Sequence, residues 1–266
     1  MRLKISHTTE YTYDVPVAYA LQRLRLFPKS GQSQKVLQWN LEIEGAEQEL
    51  RFDDSYGNDT RLLSAHSDAT LMRVTVRGLV ETRETNGISG KHTGWAPLWL
   101  FQRTSAMCEP GEAVRKLAEG HPVHAEGDAN RLHGLMADIR EQVAYVTGAT
   151  DAVTTAEEAL ARGEGVCQDH SHIFLAAARL MGYPARYVSG YLKMDGVEEQ
   201  TASHAWAEAH VEGLGWVGFD CSNGISPDER YVRIATGRDY RDAMPISGIR
   251  HGQSKEELAV HITVEQ

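Results

Sequence analysis

The stretch SHAWAEAHVEGLGWVGFD, residues 203–220, leaves a chain few choices of local structure. His204, Trp206, Glu208 and His210 alternate with Ala205, Ala207, Ala209 and Val211, and Trp216, Gly218 and Asp220 resume the alternation after a short EGL. Period-two alternation belongs to strands, in which successive side chains point to opposite faces. Two such runs joined by so short a link predict an antiparallel hairpin. With Val211 opposite Gly215, Asp220 lies opposite Trp206 and diagonal to His204. Same-face diagonal neighbours sit about 7–8 Å apart at Cα, within reach of an Asp–His hydrogen bond. A slip of one residue would send the two side chains to opposite faces.

A cysteine at a helix start is the second constraint. Residues 167–181 place Ile173, Phe174, Ala177, Leu180 and Met181 on one face at helical spacing, and Gly182 and Pro184 close the run. Cys167 follows a glycine-rich turn in which Gly163 and Gly165 let the backbone pass close to a substrate. The unpaired N–H groups and dipole of a helix start stabilise a thiolate. A buried, inert cysteine suits the same position, so a nucleophile also needs a base, and the base an orienter. His204 and Asp220 can fill those roles through the hairpin. Singly, each also reads as structural: a core histidine and a strand-end carboxylate. A zinc site can be drawn from Cys167, His170, His172, His204 and His210, yet the chain holds no CxxC pair and no HExxH helix. Helical spacing also turns His172 well away from Cys167.

Along the chain, residues 1–83 read as all-β. Leu37, Trp39, Leu41 and Ile43 alternate, as do Met72, Val74 and Val76 against Arg73, Thr75 and Arg77, with a turn signal at 55–60. Several short strands in that span suggest a sandwich-like module. Residues 84–94 carry three glycines and no periodicity, and read as a linker. Residues 98–120 and 128–146 look helical, and 154–163 has a capping box on Thr154 or Thr155 with Gly163 as its stop. Strands return from 185 onward. The expected fold class is α+β: a β module over 1–83, then a catalytic-type domain over 95–266 with helices on an antiparallel sheet.

Charge narrows the partners. The net charge of −10 disfavours nucleic-acid binding, because like charges repel. No apolar run is long enough for a bilayer, and MRLKISHTTEYTYD has no apolar core of a secretory signal. A cytoplasmic location is expected. Three cysteines, Cys108, Cys167 and Cys221, are too few and too odd a number for a disulfide framework.

GEGVCQDHSHIFLAAARLMGYPARYVSGYL, SHAWAEAHVEGLGWVGFDCSNG and GRDYRDAMPISG, in that order, resemble the bacterial transglutaminase-like family. YVTGATDAVTTAEEAL upstream fits it, and HTTEYTYDVPV and LRLFP resemble the β module that precedes the catalytic domain there. The resemblance implies a papain-like, transglutaminase-type core with a Cys, His, Asp triad in chain order, falling on Cys167, His204 and Asp220. It implies acyl transfer through a thioester, with no cofactor. Water as acceptor gives a cysteine protease or amidase acting on a peptide, protein or small amide; an amine gives a transamidase. A non-catalytic peptide-binding protein on the same fold is a third reading. Two positions depart from the pattern: His170 replaces an apolar aromatic residue and Cys221 a proline. His170 is expected to be packed and hydrogen-bonded, and Cys221 could bring a second oxidisable thiol near the site.

Acyl transfer needs donors for the oxyanion. The Cys167 N–H is one; Tyr145 and Gln168 are candidates for a second, with a structural tyrosine as the plain alternative. Asp169, His172 and the charged GRDYRD loop at 237–242 are expected to order the surroundings of the site. Trp206 and Trp216 flank the hairpin, as cleft walls or as core.

Overall fold

The computed structural model describes residues 1–123, 127–252 and 254–266. Six strands come first: β1 (Arg2–Tyr13), β2 (Tyr19–Phe27), β3 (Gln34–Glu44), β4 (Ala46–Asp53), β5 (Asp59–Ala65) and β6 (Leu71–Thr82). Then follow β7 (Ile88–Gly90), α1 (Glu112–Glu119), α2 (Asp128–Gln142), β8 (Ala144–Tyr145), α3 (Ala156–Arg162), β9 (Glu164–Gly165) and α4 (Cys167–Leu180). The last third holds β10 (Ala185–Leu192), β11 (Glu199–Gln200), β12 (His204–Val211), β13 (Gly215–Phe219), β14 (Tyr231–Gly237), α5 (Tyr240–Ala243), β15 (Ile246–His251) and β16 (Glu256–Glu265). Among the described residues, no helix is long and apolar enough to cross a membrane.

Two antiparallel sheets, in the orders β11-β16-β1-β6-β3 and β15-β2-β5-β4, share one apolar core. Alternation builds it: Leu3 and Ile5 of β1, Val74 and Val76 of β6, Leu24 and Leu26 of β2 and Leu63 of β5 all turn inward. A third sheet, β14-β10-β12-β13-β7, is covered on one face by α4. There Ala205, Ala207 and Ala209 join Ile173, Phe174 and Ala177 in one core. Small side chains on the strand let the helix approach closely.

The pairing cuts across the expected division of the chain. Residues 95–266 do not all stay with the helices: β15 pairs with β2, and β16 pairs with β1 from Lys4↔Glu265 to Tyr13↔Glu256. Ile262 and Val264 thereby enter the core of the first two sheets. The stretch expected as a linker, 84–94, contains β7, which extends the third sheet beside β13. The helix expected over 98–120 is interrupted. Two short 3-10 turns, Leu98–Gln102 and Ala106–Cys108, precede α1, because Pro110 offers no N–H to an α ladder. Glu157 then caps α1 from outside, accepting the N–H groups of Gly111, Ala113 and Val114 at 3.0, 2.8 and 3.1 Å.

β14 forms one edge of the third sheet, and side-chain amides occupy its outward backbone groups. Asn58 Nδ2 donates to the Thr236 carbonyl (2.8 Å) and its Oδ1 accepts the Thr236 N–H (2.9 Å). Gln34 does the same at Arg233, at 2.9 and 2.8 Å. Each amide stands in for a neighbouring strand and fastens the first module to the third sheet.

Candidate active site

α3 and the turn after it set the approach to Cys167. Thr155 caps α3 by accepting the Glu158 N–H, while the Glu158 carboxylate accepts the Thr155 N–H at 2.9 Å, so the capping box forms on Thr155. Thr154 bonds Asp151 instead. Gly163 stops the helix with φ 72°, in the left-handed region. Gly165 is small for an internal reason: a Cβ there would lie 2.7 Å from the Cβ of Asp169. Asp169 needs that space, because its Oδ2 accepts the Val166 N–H (2.8 Å) and the Thr150 hydroxyl (2.6 Å). The carboxylate thus fixes the first turn of α4 and holds it to the 150 loop.

Cys167 opens α4, half-buried. The hairpin has the register the alternation predicts, Val211↔Gly215 through Ala207↔Phe219. It brings His204 Nε2 to 2.6 Å from Asp220 Oδ2. The Cys167 side chain also acts on the ring's charge, and with Nε2 engaged the nitrogen open to sulfur is Nδ1. Burial alone would lower the His204 pKa; the bonds and charges of Asp220 and Cys167 outweigh it and carry the value up to about 10. Asp220 is completely buried. Burial would raise its pKa, but His204, Asn223 and Tyr231 together hold it below the usual carboxylate value.

Those partners show how tightly the carboxylate is held. Oδ2 also accepts from Tyr231 Oη (2.8 Å) and Asn223 Nδ2 (2.7 Å), and Oδ1 accepts the N–H groups of Ser222 (3.0 Å) and Asn223 (3.2 Å). Asn223 had a signal in the sequence: Asp followed closely by Ser, Asn and Gly is turn chemistry in which the carboxylate collects backbone N–H groups. Tyr231 had none, since it arrives from a separate strand.

The other expected residues divide. Tyr145 is brought toward the thiol: β8 pairs in parallel with β9, Tyr145 beside Gly165, and the phenol feels the Cys167 charge. Burial, and then the Cys167 charge, push its pKa up to about 12, so it remains an O–H donor at neutral pH. Its ring stacks on His170 at 6.1 Å and 10°. His170 is packed as expected, with Nδ1 and Nε2 each 2.9 Å from a carbonyl oxygen, those of Val166 and Val143. Gln168 lies beside Cys167, partly exposed. His172 points into the interior, where its Nε2 accepts the Tyr240 N–H at 3.1 Å and so ties α4 to the GRDYRD loop. Trp206 is buried and stacks on His204 at 6.3 Å, forming a wall behind the imidazole. Trp216 is core, packed on Phe101. Cys221 is buried, and burial raises its thiol pKa well above the ordinary value. That disfavours the thiolate and removes the expected reactivity.

Residues 3–81 match the bacterial transglutaminase-like N-terminal region, and residues 115–221 match the transglutaminase-like superfamily. An uncharacterized protein of Mycobacterium leprae is 30% identical over 99% of this chain and 98% of its own length. The chain belongs to the transglutaminase-like superfamily. An uncharacterized Mycobacterium tuberculosis protein is similar at 27% identity, over 99% of this chain and 92% of its own. The fold of this transglutaminase-like chain is shared with a crystal structure from Cytophaga hutchinsonii, described as a "putative cysteine protease". The TM-score is 0.77 at 23% identity, covering 100% of this chain and 91% of that one.

Proposed function

We propose that the protein is a thiol-dependent acyl-transfer enzyme with Cys167 as nucleophile, His204 as acid and base, and Asp220 as orienter. The observation that carries this reading is the single imidazole bonded at 2.6 Å to a buried carboxylate, its charge further favoured by the thiol at a helix start. An imidazolium held beside sulfur favours the thiolate. The thiolate attacks an amide carbonyl carbon, forming the S–C bond and a tetrahedral oxyanion. In this reading the Cys167 N–H and the Tyr145 hydroxyl donate to that oxyanion. His204 Nδ1–H then protonates the leaving amine as the C–N bond breaks, leaving a thioester. Neutral His204 next takes a proton from water as water attacks, and the thiolate departs with the acid product.

Hydrolysis is the favoured outcome. Tyr145, beside the thiol, is 55% exposed, which leaves the thioester within reach of water. A cysteine protease or amidase working in the cytoplasm, its sandwich-like module packed behind the sheet, is the full reading. The test is acyl-enzyme trapping with an activated peptide ester. A thioester on Cys167, released to acid by water, is expected; turnover surviving Cys167→Ala would overturn the assignment. Partition of the same thioester between water and excess lysine-like amine separates hydrolysis from transamidation.

A further inference from the structure

On the face of the third sheet turned away from α4 lies a cavity of about 460 Å³. The sheet contributes Arg186 and Arg233; the loops at 29–32 and 53–58 and the segment 89–95 close the other sides. Its walls are built before any ligand arrives, because the amides of Asn58 and Gln34 pin the first module to β14 on either side. A space of this size suits a small molecule.

The charge around it does not balance. Glu208, 1% exposed, is the buried anion of the group. Arg186 Nε donates to its Oε2 at 2.7 Å, Ser89 Oγ donates to its Oε1 at 2.6 Å, and Arg233 Nη1 lies 3.4 Å from Oε1. Burial would raise the Glu208 pKa, but the two arginines and Ser89 outweigh it and keep it ionised. Arg186 is stacked on Trp216 and wholly committed to this pair. Arg233 is not: its contact is long, and its Nη2 lies 3.6 Å from where a side chain at Gly31 would begin. At the rim, Lys29 and Asp53 cancel one another at 2.6 Å, while Lys91 adds a further cation. Four cationic side chains thus face two carboxylates in a protein whose net charge is −10. Arg233, held only by a 3.4 Å contact to a carboxylate that Arg186 already binds, and Lys91, which is exposed, can each turn to an incoming anion. Trp95, on the same rim, is 92% exposed, an aromatic face with nothing laid against it.

We infer that this cavity binds a small organic anion, a carboxylate or a phosphate, with its charged group on Arg233 and Lys91 and its apolar body against Trp95. Guanidinium and ammonium groups together recognise either oxyanion. Cys167, His204 and Asp220 are not among the residues that line the cavity.

Calorimetry on the full chain tests this with benzoate and phenyl phosphate as the two anionic arms and benzyl alcohol as the uncharged control. Saturable binding of at least one anion, no binding of benzyl alcohol, and a matching rise in Tm are expected. The tighter arm decides between carboxylate and phosphate. Lys91→Gln, at an exposed position, and Arg233→Gln should each weaken binding at least tenfold, and Trp95→Ala should weaken it by a smaller factor. Cys167→Ala should leave it unchanged, so the result stands or falls apart from the proposed catalysis. No binding of either anion at ~10 mM, equal binding by Lys91→Gln, or loss in Cys167→Ala would each overturn the proposal.

Discussion

His204 and His172 are two imidazoles, one mostly and one wholly buried, in the same half of the molecule, and their surroundings drive them in opposite directions. His172 is completely buried; burial first, then the charges of Arg179 and Arg241, lower its pKa to about 3. It stays neutral and uses Nε2 as an acceptor for the Tyr240 N–H. His204, its side chain 13% exposed, is also pulled down by burial, but Asp220 and the Cys167 sulfur raise it to about 10. Burial sets the charge of His172, with two cations reinforcing it, and is overruled at His204, where a carboxylate and a thiol make an acid that can give up a proton.

The largest way to break that contrast is to remove the working ring. His204→Ala should lower kcat/KM for an amide substrate by about 10⁵–10⁶-fold, about 7–8 kcal/mol, with circular dichroism unchanged. Asp220→Asn keeps the shape and removes the charge that holds the imidazolium. Its loss should be smaller by about one to two orders of magnitude, and the pH–rate profile should shift with it. Adding Asp220→Asn to His204→Ala should change little further, because Asp220 acts through the ring; losses that multiply would sink the hydrogen-bonded pair.

Stability against pH sharpens the contrast next. His172 has a native pKa below its ordinary 6.5, so its contribution is present above about 6.5 and is lost as pH falls toward 3. Between pH 7 and 4 that loss is about 3 kcal/mol. His172→Gln, which retains an acceptor for Tyr240, should flatten this acid limb in urea melts. His7, lowered to about 4 by burial, acts in the same direction and stays in both proteins, so the difference isolates His172. His204 has the opposite sign: its contribution is present below about 6.5 and is lost as pH rises through about 10. Smallest is a difference in labelling. Burial pushes Cys108 up to about 11, so iodoacetamide near neutral pH should modify Cys167 at least about tenfold faster. Faster labelling of Cys108 would remove the case for a reactive helix-start thiol.

Local pattern carried most of what was legible in advance. The alternation across 203–220 set the hairpin register, and with it the meeting of His204 and Asp220. The apolar face of 167–181 and the Thr155–Glu158 box were equally readable, because each depends on neighbours a few residues away. What failed depended on distance. The alternating AVHITV marks β16 as a strand, but nothing in it names β1 as its partner. Tyr231 reaches Asp220 only because β14 folds back along β10, and Gly165 also makes room for a carboxylate four residues ahead of it.

The placement of β16 beside β1 has a consequence for how the chain is made. A ribosome emits β1 first, and its partner follows only when residues 256–265 appear. At about 5–20 residues per second that interval is on the order of tens of seconds. Throughout it, one long side of β1 has no neighbour, a sticky margin open to any other extended chain. The helices, the thiol-bearing α4 among them, and the third sheet are translated inside this waiting period, so the two halves mature out of step, with the N-terminal half closing last.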